Sequence, residues 1–207
     1  MEPSPELEPK TLTPIKFHFF KIKFTPYSGT TNETNHSIIA KVMGYLSTQA
    51  RENKGFLIDK HETRTGEVSR PLFATSSVFM GLEKRYRGSI ALLRKGKIPM
   101  LKPTDKFILI PLDSSKGEIA EQTRFYIDYS TDEVIMCVEF NYNGPRISDI
   151  EYYFRIVARD QLRIAKATEV EVIMDVSIEK ALTDLRNVLS FEVKVQPQKL
   201  SQLVSFP

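Results

Sequence analysis

Residues 123–160 read TRFYIDYSTDEVIMCVEFNYNGPRISDIEYYFRIVARD and contain two different hydrophobic periods. The first half alternates apolar and polar residues on either side of a polar turn at Asp132, which is typical of two antiparallel strands. After the break at Gly144-Pro145, apolar residues recur at helical spacing. The stretch therefore predicts a β-hairpin followed by an amphipathic helix. The residues predicted to face the core are Phe125, Ile127, Tyr129, Val134, Met136, Val138, Phe140, Ile150, Tyr153, Phe154 and Val157.

The start of this helix carries a recognisable capping pattern. Ser148 and Glu151 match the S-x-x-E capping box, in which the serine side chain accepts from the third backbone N–H of the helix. Ile147 and Tyr152 are spaced as the accompanying hydrophobic staple. The pattern predicts that Ser148 caps the helix.

An earlier helix is predicted over residues 37–54, where apolar residues again keep helical spacing. Asn35 or Ser37 is expected to cap its start, and Gly55 is expected to end it. Gly44 lies in its middle and costs about 1 kcal/mol relative to alanine. We therefore expect another element to pack closely against Gly44.

The whole chain predicts the element order β-α-β-β-β-β-β-β-α-β-α-β, which is typical of the α+β class. We expect a largely antiparallel sheet with two or three helices packed on one face. Residues 106–112, KFILIPL, are predicted to form one of its buried strands. The strand-helix-strand order near the C-terminus is compatible with a ferredoxin-like arrangement.

Length and proline content predict the domain organisation. A chain of 207 residues can bury a substantial core, and no Gly-Ser linker divides it. Residues 1–14 are rich in proline and acidic residues and are expected to form a disordered arm. Residues 15–195 are predicted to form a single domain, and residues 196–207 a tail.

Composition favours an ordinary globular protein of the cytoplasm. The chain is 41% hydrophobic and 27% charged, with a formal charge of +3. Cys137 is the only cysteine, so no internal disulfide or multi-cysteine zinc site can form, and a reducing compartment is favoured. We expect Cys137 to be a buried core residue. No apolar run approaches the about 20 residues needed to span a bilayer, so we predict no membrane partner.

Known catalytic and cofactor-binding motifs do not occur in the sequence. It has neither a G-x-x-x-x-G-K-[ST] nor a G-x-G-x-x-G loop, and it has no H-E-x-x-H or G-x-S-x-G motif. His18, His36 and His61 are far apart in sequence. Carboxylate pairs such as Asp149 and Glu151 lie at turns or at a helix start, where acids have local structural roles. We predict no catalytic residue, no metal site and no cofactor.

Basic residues form the remaining candidate site. Arg85 and Arg87 precede the strand-like run SIALL, whereas Arg94, Lys95 and Lys97 follow it. Two further arginines lie on the helix of the first segment, next to tyrosines. Arginine beside aromatic residues on a sheet can contact phosphates and stack bases. The candidate nucleic-acid-binding residues are Arg85, Arg87, Arg94, Lys95, Lys97, Arg155 and Arg159.

About half of the chain resembles a group of bacterial proteins. The resemblance is carried by RYRGSIALLRKGKIP from Arg85, by the hairpin and capped helix of residues 123–160, and by LTDLRNVLSFEVKV, which ends at Val195. Proteins of that group tend to be encoded near anti-phage defence genes. The resemblance implies a defence-related role, and it supplies no catalytic motif.

These observations leave three functional hypotheses. The first is a non-catalytic binding or adaptor component of a bacterial anti-phage defence or toxin-antitoxin-like system, acting on a protein partner or as a homo-oligomer. The second is a nucleic-acid-binding protein that uses the basic loops. The third is a nuclease-type enzyme with an unfamiliar motif, which ranks below the others because a novel site need not contain a known motif.

Overall fold

Seven strands form one antiparallel sheet in the computed structural model, which describes residues 15–29, 33–52, 54–95, 99–112 and 117–173. In chain order the strands and α-helices are β1 (Phe17–Pro26), α1 (Asn35–Arg51), β2 (Ile58–Asp59), β3 (Pro71–Met80), β4 (Arg85–Leu93), β5 (Met100–Leu101), β6 (Ile110–Pro111), β7 (Ala120–Asp128), β8 (Val134–Glu139), α2 (Ile147–Ile156) and β9 (Ala165–Val172). A short 3-10 helix (Gly81–Glu83) follows β3, and a π-helical turn (Val157–Gln161) continues α2. The sheet order is β2-β3-β4-β7-β8-β1-β9, and β5 pairs only with β6. The predicted α+β class and largely antiparallel sheet are confirmed.

The two sides of the sheet differ in burial. Along β7, Phe125 and Ile127 are buried, whereas Arg124 and Tyr126 are exposed, as expected for alternating strand residues. The buried side faces the helices, because the ring of Phe125 meets that of Phe154 in α2 edge to face, with centroids 5.6 Å apart. We call this side of the sheet the inner face, and the side that carries Arg124 and Tyr126 the open face.

The first helix is capped by Thr34. Its hydroxyl accepts from the backbone N–H of Ser37 at 3.2 Å, and the Ser37 hydroxyl accepts from the N–H of Thr34 at 2.9 Å. The prediction that Asn35 or Ser37 would be the cap is therefore wrong. Asn35 instead joins α1 to β1, since its amide donates to the Ile22 carbonyl and accepts from the Phe24 N–H, each at 2.8 Å.

Gly44 in α1 does not mark a close approach of another element. A Cβ atom built on it would meet nothing within 4 Å. The expectation that a neighbouring element packs there is wrong, because the inner side of α1 is filled by other residues. These are Ile38, Ile39, Val42, Met43 and Leu46, all fully buried.

The second helix begins at Ile147 with Arg146 as its N-cap residue. The carboxylate of Asp149 accepts from the backbone N–H of Arg146 at 2.8 Å. The predicted capping box of Ser148 and Glu151 is wrong, since the helix starts earlier than that box requires. An acid in the first turn is favoured by the helix dipole, and here it is Asp149 that satisfies the free N–H.

Several predictions concern residues outside the described ranges. The arm at 1–14, the tail at 196–207, the third helix and the last strand all belong to this group, and the ferredoxin-like arrangement depends on them. The described residues, from 15 to 173 with their gaps, belong to one compact unit. Neither α1 nor α2 has the length and hydropathy that crossing a bilayer requires.

Candidate binding surfaces

The open face of the sheet carries aromatic residues beside arginine. Cross-strand register places residues of five neighbouring strands in one row, namely Val78, Arg87, Tyr126, Cys137 and Phe19. Phe19 is 51% exposed and Tyr126 is 43% exposed. Phe17 lies beside this row, with its ring 6.3 Å from that of Tyr126 in an edge-on contact. The row therefore presents unstacked aromatic rings to solvent next to a guanidinium group.

Cys137 belongs to this row and not to the core. It is partly exposed, and its neighbours Met136 and Val138 on β8 point to the inner face and are buried. The expectation of a buried core cysteine is therefore wrong. Successive residues of a strand point to opposite faces of the sheet, and Cys137 points to the open face. Partial burial raises the pKa of the thiol, so the group is protonated at neutral pH and is a poor nucleophile.

On the open face, Arg85 is held in ion pairs with two acids. Arg85 lies 2.7 Å from Asp128 and 3.0 Å from Glu83. Hydrogen bonds from the hydroxyl and backbone N–H of Ser130, together with Arg85, lower the pKa of Asp128 to about 2. Arg87 differs from Arg85, because no ion pair among the described residues includes it. It is therefore available to an external anion.

Arg94 and Lys95 lie beyond the other end of β4 from Arg85. Arg94 is 3.8 Å from Glu121, and Lys95 pairs with Glu118. Lys97 lies outside the described residues. The structure thus places Arg94 and Lys95 at the opposite end of β4 from Arg85 and Arg87.

Arg155 and Arg159 lie on the helical side of the sheet. Arg155 is 3.7 Å from Glu151, and Arg159 is 2.6 Å from Asp160. Because α2 and the helical turn that continues it, in which Val157 and Ala158 are buried, pack on the inner face, the sheet stands between these arginines and the open face. Of the candidate nucleic-acid-binding residues that the structure describes, only Arg85 and Arg87 therefore share a surface with the aromatic row.

A second candidate surface is formed by the ribbon, which we define as residues 99–112. It contains β5 and β6, and Phe107 between them is 97% exposed. Leu109 is 65% exposed, and the further exposed apolar residues are Met100, Leu101, Ile108, Ile110 and Leu112. The prediction of a buried strand over residues 106–112 is therefore wrong.

The ribbon stays out of the main sheet for a local reason. Pro103 and Pro111 cannot donate backbone hydrogen bonds, so the segment cannot form a long central strand. Only short pairing remains, with the Leu112 N–H donating to the Pro99 carbonyl at 3.3 Å. These prolines were the sequence signal against a buried strand.

No metal-binding group is present in the described part of the chain, where no three His, Cys, Asp or Glu side chains cluster suitably. His36 bonds to the carbonyl of Thr131 at 2.6 Å and His61 to that of Val68 at 2.9 Å. His36 therefore connects the start of α1 to the turn between β7 and β8, and His61 connects two parts of the loop between β2 and β3.

Comparisons with models of protein families, with curated proteins and with solved structures find no match to this chain. The functional argument therefore depends on the surfaces described above.

Proposed function

We propose that the protein is a non-catalytic binding component that recruits a protein partner through the apolar side chains of the ribbon. The observation that carries this proposal is the exposure of Phe107 and Leu109 within a contiguous apolar segment. The resemblance to defence-associated proteins suggests a bacterial anti-phage or toxin-antitoxin-like setting for this role.

The physical argument is the cost of leaving the ribbon in water. Each Å² of apolar surface removed from water contributes about 25 cal/mol, so burying several large side chains provides substantial binding free energy. Soluble monomers rarely expose large contiguous apolar patches, and such patches usually mark interaction sites. Large side chains at the centre of an interface also contribute most of its binding free energy. In the purified protein, the available partner with an apolar surface is a second copy of the chain.

Replacing both Phe107 and Leu109 with serine should abolish self-association. We expect the wild-type protein to form a concentration-dependent dimer, because pairing two ribbons buries their apolar side chains. The variant should remain a monomer, with about a thousandfold weaker association, since two hot-spot residues each contribute about 2 kcal/mol and each 1.4 kcal/mol is about tenfold. Size-exclusion chromatography with light scattering measures the mass of both proteins.

The matched control for the ribbon is a double serine variant at Leu82 and Val68, which are exposed apolar residues elsewhere. It should associate as the wild type does. Equal masses for the wild type and the ribbon variant at every concentration, with both proteins folded, would contradict a ribbon-mediated dimer. If the product of a neighbouring gene then bound the wild type but not the ribbon variant, that product would be the protein partner in place of a second copy.

A second candidate function is binding of single-stranded nucleic acid on the open face. The observation that favours it is Arg87, which lacks an ion pair in the described residues and lies beside Tyr126 in the aromatic row. A guanidinium group can contact a phosphate while neighbouring rings stack on bases. The paired charges of Arg85 and Asp128 contribute little net potential to this surface.

Replacing Tyr126 with alanine should weaken binding of a single-stranded RNA by about 1–3 kcal/mol, the usual contribution of one stacked base. The variant Arg87→Met should also bind more weakly and show a smaller salt dependence, because one phosphate contact is lost. Arg155→Met is the control on the helical side and should bind normally. Fluorescence anisotropy at about 50 mM and 200 mM salt tests this. Absence of any binding at the lower concentration would exclude the function.

A further inference from the structure

A cavity of about 380 Å³ opens where the ends of β1 and β8 meet the start of α2. Its apolar wall is formed by Phe20, Val138, Phe140, Pro145 and Ile147. Pockets for small molecules usually measure about 300–1,000 Å³ and combine apolar walls with a few polar groups. The size and lining of this cavity therefore match those of a small-molecule site.

Aromatic rings surround the mouth of the cavity. Phe140 is 53% exposed and Tyr142 is 74% exposed, so both rings border solvent. The ring of His18 lies 5.5 Å from that of Phe140, centroid to centroid, and tilted by 34°. A flat aromatic group could pack against these rings in offset or edge-on geometry.

Positive charge predominates at the same opening. Arg146 lines the cavity, and no ion pair of the described residues includes it. Lys16 places its ammonium group 5.7 Å from the centre of the Phe140 ring. Glu139 is the one carboxylate among the described lining residues, and its Oε2 accepts from the backbone N–H of Arg124 at 3.2 Å. Its charge is therefore partly compensated, and the opening favours an anion.

We propose that this cavity binds a small carboxylate with an apolar, aromatic body. The body fills the space between Phe20, Val138 and Ile147, and its ring packs against Phe140. The carboxylate accepts two hydrogen bonds from the guanidinium of Arg146, which is the geometry that arginine favours. The site uses no residue of the ribbon, so it is independent of the proposed partner-binding function.

The probes for this site are 4-phenylbutyrate and its neutral amide, 4-phenylbutanamide, titrated into the full chain by calorimetry and observed by saturation-transfer NMR. We expect the acid to bind about tenfold more tightly than the amide, because a hydrogen bond to a charged group is stronger than a neutral one. Arg146→Met should weaken binding of the acid more than binding of the amide, so that the preference for the acid is lost. Phe140→Ala should weaken both probes.

The matched control is Arg155→Met, the same substitution on the exposed surface of the helix that Arg146 caps. It should leave both affinities unchanged. Arg146→Lys retains the charge but lacks the two parallel N–H donors of a guanidinium, so its affinity for the acid should be intermediate. This variant tests the site if the methionine variant loses stability. Equal affinities of the wild type for acid and amide would overturn the proposal. An unchanged preference for the acid in Arg146→Met, or no saturation transfer from the acid at millimolar concentration, would also overturn it.

Discussion

Replacing Asp149 with asparagine should lower the free energy of unfolding by about 3 kcal/mol, the usual cost of removing one partner from a buried ion pair. Asp149 is 1% exposed. One of its carboxylate oxygens accepts from Lys60 at 2.9 Å and from Arg70 at 3.0 Å, and the other accepts from Arg70 at 2.6 Å. The substitution would leave two cations with little solvent and no countercharge. Urea denaturation followed by circular dichroism measures the change.

The difference in unfolding free energy between the wild type and Asp149→Asn should depend on pH. Burial alone would raise the pKa of Asp149, but hydrogen bonds from Arg70, Lys60 and the N–H of Arg146 outweigh it and lower the pKa to about 2, from the usual 3.8. Because the folded pKa lies below the unfolded one, the charged group stabilises the fold above about pH 5, and this contribution is lost as the pH falls towards 2. The stability difference should therefore shrink by about 2 kcal/mol over that interval.

An exposed ion pair provides the control for Asp149. Asp160 pairs with Arg159 at 2.6 Å, and both side chains are about two-fifths exposed, at 41% and 42%. Surface pairs contribute at most about 1 kcal/mol, so Asp160→Asn should have a small effect. Equal destabilisation by the two asparagine variants would show that the buried ion pairs of Asp149 stabilise the fold no more than an exposed pair does.

The sequence predicted most of the hairpin and α2 well because those elements depend on local alternation. Phe140 is the exception, since it was expected to face the core and is 53% exposed just after β8 ends. Phe125 and Ile127 are buried and Arg124 is exposed, as a period of two requires. In α2, Tyr153 and Phe154 are buried at the positions given by helical spacing. Such patterns indicate which residues face the core, whatever element covers them.

Non-local contacts could not be predicted in the same way. Asp149 looked like an ordinary acid at a helix start, because its partners Lys60 and Arg70 are distant in sequence. The aromatic row depends on the register of Phe19 against Cys137, which pairs β1 with β8, two strands that are neighbours in the sheet but far apart in sequence. The ribbon has the apolar composition of a buried strand. Only its prolines and its tertiary packing show that it is an exposed segment and not a strand of the main sheet.

Replacing Gly88 with alanine should lower the free energy of unfolding by about 1–3 kcal/mol, as is usual for overpacked cores. Gly88 pairs with Phe125 across β4 and β7, and the Phe125 ring lies directly over it. A Cβ atom at position 88 would come within 2.4 Å of Cζ and 2.9 Å of Cε2 of that ring. Phe125 is 1% exposed and is also in contact with Phe154, so its ring has little room to move. Urea denaturation again measures the change.

Two further variants separate this clash from the general effect of replacing a glycine. Gly44→Ala in α1 meets no atom within 4 Å and should stabilise the protein by about 1 kcal/mol, since alanine is the better helix former. Combining Gly88→Ala with Phe125→Leu should cost less than the sum of the single changes, because a leucine leaves space for the new methyl group. If Gly88→Ala is as stable as the wild type, or if the two changes are simply additive, then the ring does not constrain position 88. The close approach of β4 to the Phe125 ring would in that case not explain why glycine occupies a strand interior, where it is otherwise unfavourable.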